Sequence, residues 1–314
     1  MMKPTFKSDI RHETNFNKGS RLVYGTSGLG GVWGEVDEKE SIGCLLYALE
    51  HGIMSYDSAP SYNRAEEFLG KALAQWKGEK PFVSTKVGRL PAEKADECYV
   101  DYSAATMRQS VERSLKRLGV GQIDLLFLHE PHLVPLEQMD DIMETLISFK
   151  EEGLVAQLGV GGNPTDGFRP YITEANFSVV SGFLKMDACN LSAFEKDVPH
   201  FQKEKVSYYA ASSLHMALLG TRFELYCENP PNNEWITNKD VAIAKKINEI
   251  AKEQGISLPT LAQRYLFSVE EADRIVMGAR KTEQIKASLE DWEAGGIEKD
   301  LFDQITGTIL TKGK

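Results

Sequence analysis

Eight short apolar runs recur along the 314-residue chain, and longer stretches with helical spacing of their apolar residues separate most of them. The runs cover 21–25, 53–57, 81–85, 123–129, 156–160, 183–190, 206–211 and 275–278. Several, RLVYG and IDLLFLH among them, are nearly all apolar, as strands buried on both faces must be. Between them, 38–50 carries Ile42, Leu45, Leu46 and Leu49 on one face, and 104–118 carries Met107, Val111, Leu115 and Leu118 before an LGVG stop. The stretch 136–151 repeats the device and leaves through EEG. Strands alternating with helices imply parallel pairing and right-handed crossovers. The expected fold is therefore α/β, a (β/α)8 TIM barrel, with an open doubly wound sheet as the alternative. No Pro-, Ser- or Gly-rich linker divides the chain, so 1–314 reads as a single barrel domain with its core at about 21–290. Two stretches exceed the simple repeat and read as loop insertions. One is GRLPAEKADECYVDYS, from Gly88 after the third strand; the other is 220–267, between strands seven and eight, with a Pro-Pro loop and two helical patterns.

Composition removes several function classes. With 42% hydrophobic and 26% charged residues, the chain is neither a disordered nor a disulfide-scaffold sequence. A formal charge of −10 argues against nucleic acid or an anionic membrane as partner. No apolar run approaches the length of a membrane span, and MMKPTFKSDIRHETNF lacks the apolar centre of a signal peptide, so the cytoplasm is the expected location. Cys44, Cys98, Cys189 and Cys227 show no metal-ligand spacing, which implies reduced thiols and no metal.

The glycine run GTSGLGGVWG after the first strand invites a nucleotide reading, but Trp33 stands where a Rossmann fingerprint needs its third glycine, and no GK[ST] follows. A tight turn at a strand end is the simpler account. In a parallel barrel the chemistry sits at the C-terminal ends of the strands. There SYDSAPSY offers Asp57 and Tyr62, VSTK offers Lys86, and LLFLHEP offers His129 and Glu130. Each alone has a structural explanation: a turn carboxylate, a packed ring, a lysine reaching solvent, a core histidine. Together they form a cluster suited to acid–base work by the phenol. A tyrosine with a pKa of about 10 is a poor proton donor or acceptor near pH 7, and a nearby ammonium held by a carboxylate would lower that value. The imidazole could orient a carbonyl or hydroxyl. A proton moved in step with a hydride calls for a nicotinamide, because no side chain supplies hydride.

YDSAPSYNRAEEFLGKAL, VSTKVG and QIDLLFLHEP, in that order, resemble the aldo-keto reductase superfamily from about Arg21 to Leu289. The resemblance implies a barrel that binds NAD(P)(H) without a Rossmann fold, with Asp57, Tyr62, Lys86 and His129 as its catalytic tetrad. ASSLHMALLG and PPNNEW are similar to segments of the branch containing L-galactose dehydrogenase and D-threo-aldose (L-fucose) dehydrogenase, which oxidises the anomeric carbon of an aldose to a lactone. This implies an aldose dehydrogenase of carbohydrate metabolism, a monomer or homodimer. Implied cofactor contacts are Gly161 and Gly162, where the family has Ser-Asn, Asn190 (or Asp187) for a missing Gln, and Ser212, Ser213 and Leu214. Gly278, Arg280, Lys281, Gln284 and Ser288 of GARKTEQIKASLE would face the dinucleotide phosphates. Basic residues expected for a 2′-phosphate fall at Gly278 and Gln284, which favours NAD over NADP, although Arg280 and Lys281 stand close by. Trp33, Glu130 and Trp235 are candidates for substrate contact, with Tyr56, Tyr99, Tyr102, Phe168 and His132 as further pocket-wall candidates. Three alternatives remain open: an NADPH-dependent general aldehyde or ketone reductase, a Schiff-base aldolase using Lys86, and a nicotinamide-binding regulatory subunit on the same scaffold.

Overall fold

A computed structural model describes residues 2–14, 20–32, 34–92 and 97–311. Among the described residues there are ten strands: β1 (Leu22–Gly25), β2 (Ser55–Asp57), β3 (Phe82–Val87), β4 (Arg89–Pro91), β5 (Cys98–Val100), β6 (Ile123–His129), β7 (Val155–Gly161), β8 (Val179–Phe183), β9 (Ser207–Ala211) and β10 (Arg274–Gly278). Eight of them close into a barrel in the order β1-β10-β9-β8-β7-β6-β3-β2, all parallel, while β4 and β5 pair antiparallel as a separate hairpin. The helices are α1 (Glu38–Glu50), α2 (Ala65–Gln75), α3 (Ala104–Leu118), α4 (Met139–Glu151), α5 (Ala193–Lys203), α6 (Phe223–Glu228), α7 (Asn238–Glu253), α8 (Leu258–Phe267), α9 (Thr282–Glu293) and α10 (Lys299–Thr311).

Local chemistry sets these limits. Asp37 caps α1 by accepting from the Glu40 N–H at 2.7 Å, and Gly119 ends α3 in the left-handed conformation. Val23, Leu125, Phe127, Val179, Tyr209 and Val276 fill the barrel interior, and a larger apolar layer lies between strands and helices. Each large apolar side chain buried in this way contributes about 1.5–3 kcal/mol. At the N-terminal end of the barrel the guanidinium of Arg21, only 1% exposed, donates to the carbonyls of Ile10, Phe267, Val269 and Ala272. That closes one end with a fully satisfied cation and leaves the other end for chemistry.

Both insertions are present. The first is the β4–β5 hairpin; the second contains three helices, α6, α7 and α8, rather than two. The expected sixth barrel strand at 183–190 is wrong: the strand is β8, Val179–Phe183. The stretch after it is apolar for a different reason. Leu184, Met186, Ala188, Cys189 and Leu191 are buried, but in the irregular loop before α5, with Leu184 at φ +59°. Burial without strand pairing produced the misleading run.

Candidate active site

Asp57 is the last residue of β2, Lys86 lies one residue before the end of β3, and His129 is the last residue of β6, so three neighbouring strands point polar groups at the same end of the barrel. Tyr62 comes from the turn between β2 and α2. The glycine run after β1 makes room for that turn: a Cβ on Gly30 would lie 1.8 Å from the Tyr62 carbonyl oxygen, and the Gly30 carbonyl accepts from the Arg64 N–H at 3.2 Å. The run serves close packing under Tyr62.

The four side chains converge. Lys86 Nζ donates to Asp57 Oδ2 at 2.6 Å and to the Ser58 carbonyl at 2.8 Å, and Ser84 Oγ donates to Asp57 Oδ1 at 2.9 Å. The ammonium also lies 4.8 Å from the Tyr62 ring centre and 5.5 Å from that of Phe127. The Tyr62 and His129 rings meet edge-on, 6.1 Å apart. Asp57, Lys86 and His129 are all buried.

The electrostatics follow from those neighbours. Burial works against the charge on Lys86, but Asp57 and Tyr62 together outweigh it and raise the ammonium above its ordinary value. Burial raises the Tyr62 phenol, and the opposing pull of Lys86 does not cancel it. The depression expected from the sequence is thus overcome in this state, and the phenol keeps its proton at neutral pH. Burial, then Lys86 and Arg89, push His129 well below its ordinary range, so it is neutral, and its Nδ1 has no hydrogen-bond partner among the described residues.

The other candidates divide. Gly161 and Gly162 lie beside this cluster, and packing explains why they lack side chains. A Cβ on Gly161 would stand 3.1 Å from Phe127 Cβ and 3.4 Å from Lys86 Cδ; one on Gly162, at φ +132°, would stand 2.7 Å from Pro131 Cδ. Asn163 instead ties down the end of β8, exchanging hydrogen bonds with the Phe183 backbone at 2.9 and 3.1 Å. Asn190 is not at a strand end; its Oδ1 accepts from the Ser192 N–H in the loop before α5. Ser212, Ser213 and Leu214 open the loop after β9, where Ser212, His215, Met216 and Ala217 all have φ between 48° and 66°.

Gly278 ends β10 with open space where a Cβ would be. Arg280 and Lys281 are exposed and have no carboxylate partner among the described residues, although Arg280 Nη2 reaches the Glu35 carbonyl at 3.3 Å. Gln284 is already used: its Oε1 accepts from the Arg280 and Lys281 N–H groups, fixing the start of α9. Ser288 is half-buried on α9. Two cations at a helix N-terminus beside the C-terminal end of a barrel strand fit a phosphate-bearing ligand.

Trp33 lies outside the described residues. Trp235 is 39% exposed and stacks on Phe183, ring centres 5.3 Å apart. Glu130 is buried beside His129. Tyr56 and Phe168 belong to the packed core, Tyr102 donates its hydroxyl to the His129 carbonyl at 2.7 Å, and Tyr99 is exposed on the β4–β5 hairpin. His132 is exposed.

The sequence reading missed a second charged cluster. His215 Nδ1 lies 2.8 Å from Asp187 Oδ2, and its Nε2 lies 3.7 Å from Asp240 Oδ2, with the histidine 1% exposed. Burial disfavours the imidazolium, but the two carboxylates outweigh it and hold the pKa up to about 10. Asp187 also accepts from the Cys189 and Asn190 N–H groups, so it is not free to take the place of a cofactor-binding Gln. Asp240 caps α7 through Thr237. No helix among the described residues is long and apolar enough to cross a membrane.

Eight parallel strands with this set of strand-end residues define a barrel of the reductase type, and comparison with known proteins agrees. The pattern of the Aldo/keto reductase family matches residues 21–309, and the chain belongs to that family of oxidoreductases. It is 30% identical to D-arabinose 1-dehydrogenase of Saccharomyces cerevisiae, covering 82% of this chain and 78% of the yeast protein. It is 25% identical to L-galactose dehydrogenase of Arabidopsis thaliana, covering 93% and 91%. Among solved structures, an aldo-keto reductase of Bacillus halodurans in its holo form superposes with a TM-score of 0.76 at 22% identity, covering 98% and 96%.

Proposed function

We propose that this chain is an NAD(P)-dependent oxidoreductase that exchanges hydride between a nicotinamide and C1 of an aldose or a small carbonyl compound, with Tyr62 as general acid and base. The observation that carries the reading is the Lys86 ammonium, held 2.6 Å from Asp57 and 4.8 Å from the Tyr62 ring. In the reduction direction the phenol, protonated at neutral pH, donates to the carbonyl oxygen as it gains charge, and Lys86 stabilises the phenolate left behind. In the oxidation direction the same oxygen takes the proton of the anomeric hydroxyl. His129, neutral, orients the reacting oxygen without adding a competing charge. The nicotinamide, when bound, accepts or supplies the hydride. Gly161, Gly162 and the Ser212–Ser213–Leu214 loop are proposed to hold it through backbone and hydroxyl groups, and Gly278, Arg280, Lys281 and Ser288 to take the phosphate side. The two cations, which have no carboxylate partner among the described residues, suit a pyrophosphate or a 2′-phosphate, so either dinucleotide is admitted. Similarity to two sugar dehydrogenases supports the aldose substrate.

The test is NAD(P)H formation across a panel of free aldoses, with NAD⁺ and NADP⁺ in parallel. Turnover on pentoses or on L-galactose is expected. No turnover on any aldose, with reduction of simple aldehydes by NADPH, would move the assignment to general carbonyl reduction; no turnover at all would leave the regulatory reading.

A further inference from the structure

Glu130 occupies an unusual position for a glutamate. It follows His129 directly, at φ +57°, a left-handed conformation that a side chain of this size rarely adopts. The backbone is pinned there from three sides: its N–H donates to the Gly161 carbonyl at 2.9 Å, its carbonyl accepts from the Leu133 N–H at 2.8 Å, and Tyr102 Oη lies 3.2 Å from the same carbonyl. The result is a carboxylate with an 11% exposed side chain turned toward the proposed catalytic groups. Oε1 accepts from Arg89 Nη1, on the β4–β5 hairpin, at 2.8 Å and lies 3.9 Å from His129 Nε2. Oε2 accepts no hydrogen bond among the described residues. Its neighbours are His132 Nδ1, 3.5 Å away and an ion-pair partner when that exposed imidazole is protonated, and Gly162, where an added Cβ would stand 3.5 Å from Oε2 and 2.7 Å from Pro131 Cδ.

A carboxylate oxygen taken out of water needs a donor. Arg89 supplies one to Oε1, and the fold leaves Oε2 for something that enters the site. We infer that Glu130, positioned by Arg89, reads a hydroxyl of the substrate on C2 or C3, next to the reacting carbon. The inference rests on the oxidoreductase reading above and narrows it: the substrate class is the polyhydroxylated aldose. A bare aldehyde or a dicarbonyl has no donor to offer at that position and leaves the carboxylate oxygen unsatisfied in the complex. A site built around a hydroxyl discriminates strongly against analogues that lack it, because the protein group is then stranded.

The experiment crosses enzyme and substrate changes. Wild type and Glu130→Leu are compared on an aldopentose and on its 2-deoxy and 3-deoxy analogues. Wild type is expected to lose about 100-fold in kcat/KM on one of the two analogues, and Glu130→Leu to shrink that discrimination to about threefold or less. Should Glu130→Leu fail to fold, Glu130→Gln keeps the shape and is expected to reduce the discrimination to about tenfold. Equal use of all three sugars by wild type, or full discrimination surviving in the folded variant, would overturn the inference. A second readout needs no turnover: binding of a redox-inert pentitol, followed by tryptophan fluorescence, is expected to weaken at least tenfold in either variant. Glu130-dependent pentitol binding without turnover of any sugar would sink the oxidoreductase reading and keep this one. Turnover with neither dependence would do the reverse.

Discussion

Two buried histidines at the same end of the barrel sit beside carboxylates and carry opposite charge states. His129 is pushed well below its ordinary range, while His215 is held up to about 10. They are nearly equal in exposure, 5% and 1%, so burial cannot be what separates them. The neighbours separate them. His129 faces the cations Lys86 and Arg89, and the Glu130 carboxylate near it is already bound to Arg89. His215 stands between Asp187 and Asp240. The clusters also differ in how they are completed. Around His129, Nδ1 and Glu130 Oε2 make no hydrogen bond among the described residues; around His215, Nε2 makes none either, but it faces the Asp240 carboxylate at 3.7 Å, and both carboxylates there also hold loop and helix N–H groups, as in a structural tie.

Exchanging the histidines should therefore give opposite losses. His215→Leu leaves two carboxylates buried without their cation and is expected to cost about 3–5 kcal/mol, a fall on the order of 5–10 °C in Tm, read by thermal and denaturant unfolding. His129→Asn is expected to change stability by no more than about 1 kcal/mol while kcat/KM falls about 100-fold or more. The comparison breaks if both substitutions act on stability alike.

The pH dependence of stability sharpens it. For His215 the folded value lies above the ordinary 6.5, so its contribution is complete below about pH 6.5 and is lost as pH rises toward 10. For His129 the folded value lies below 6.5, so stability is lost as pH falls under that value, where the unfolded chain takes up a proton that the native site refuses. Unfolding free energies of each variant against wild type, from pH 5 to 10, should show differences that move in opposite directions. A smaller signal, and a more local one, is the imidazole nitrogen spectrum at pH 7. His215 is expected to be doubly protonated and His129 neutral; two neutral rings would refute the electrostatic contrast.

The sequence makes one of these clusters legible and hides the other. Asp57, Tyr62, Lys86 and His129 each sit at or just beyond the end of an apolar run, and a parallel barrel brings such ends together. His215 and its partner Asp187 are 28 residues apart, on loops whose paths no periodicity reveals. The barrel itself could be read from its apolar runs. The sixth strand could not, because FSVVSGF is interrupted by Ser and Gly while the buried loop after it is richer in apolar residues. Gly161 and Gly162 show a different limit: a departure from a family pattern reads as a lost contact in sequence, and the structure explains it by the crowding of Phe127, Lys86 and Pro131.

The central claim is that Tyr62 moves the proton in a nicotinamide-dependent reaction, and replacing only its hydroxyl tests this most directly. Tyr62→Phe should bind the dinucleotide as wild type does, by protein fluorescence, while aldose-dependent NAD(P)H formation falls by about 10³-fold or more. Turnover in Tyr62→Phe within a few-fold of wild type would contradict the account.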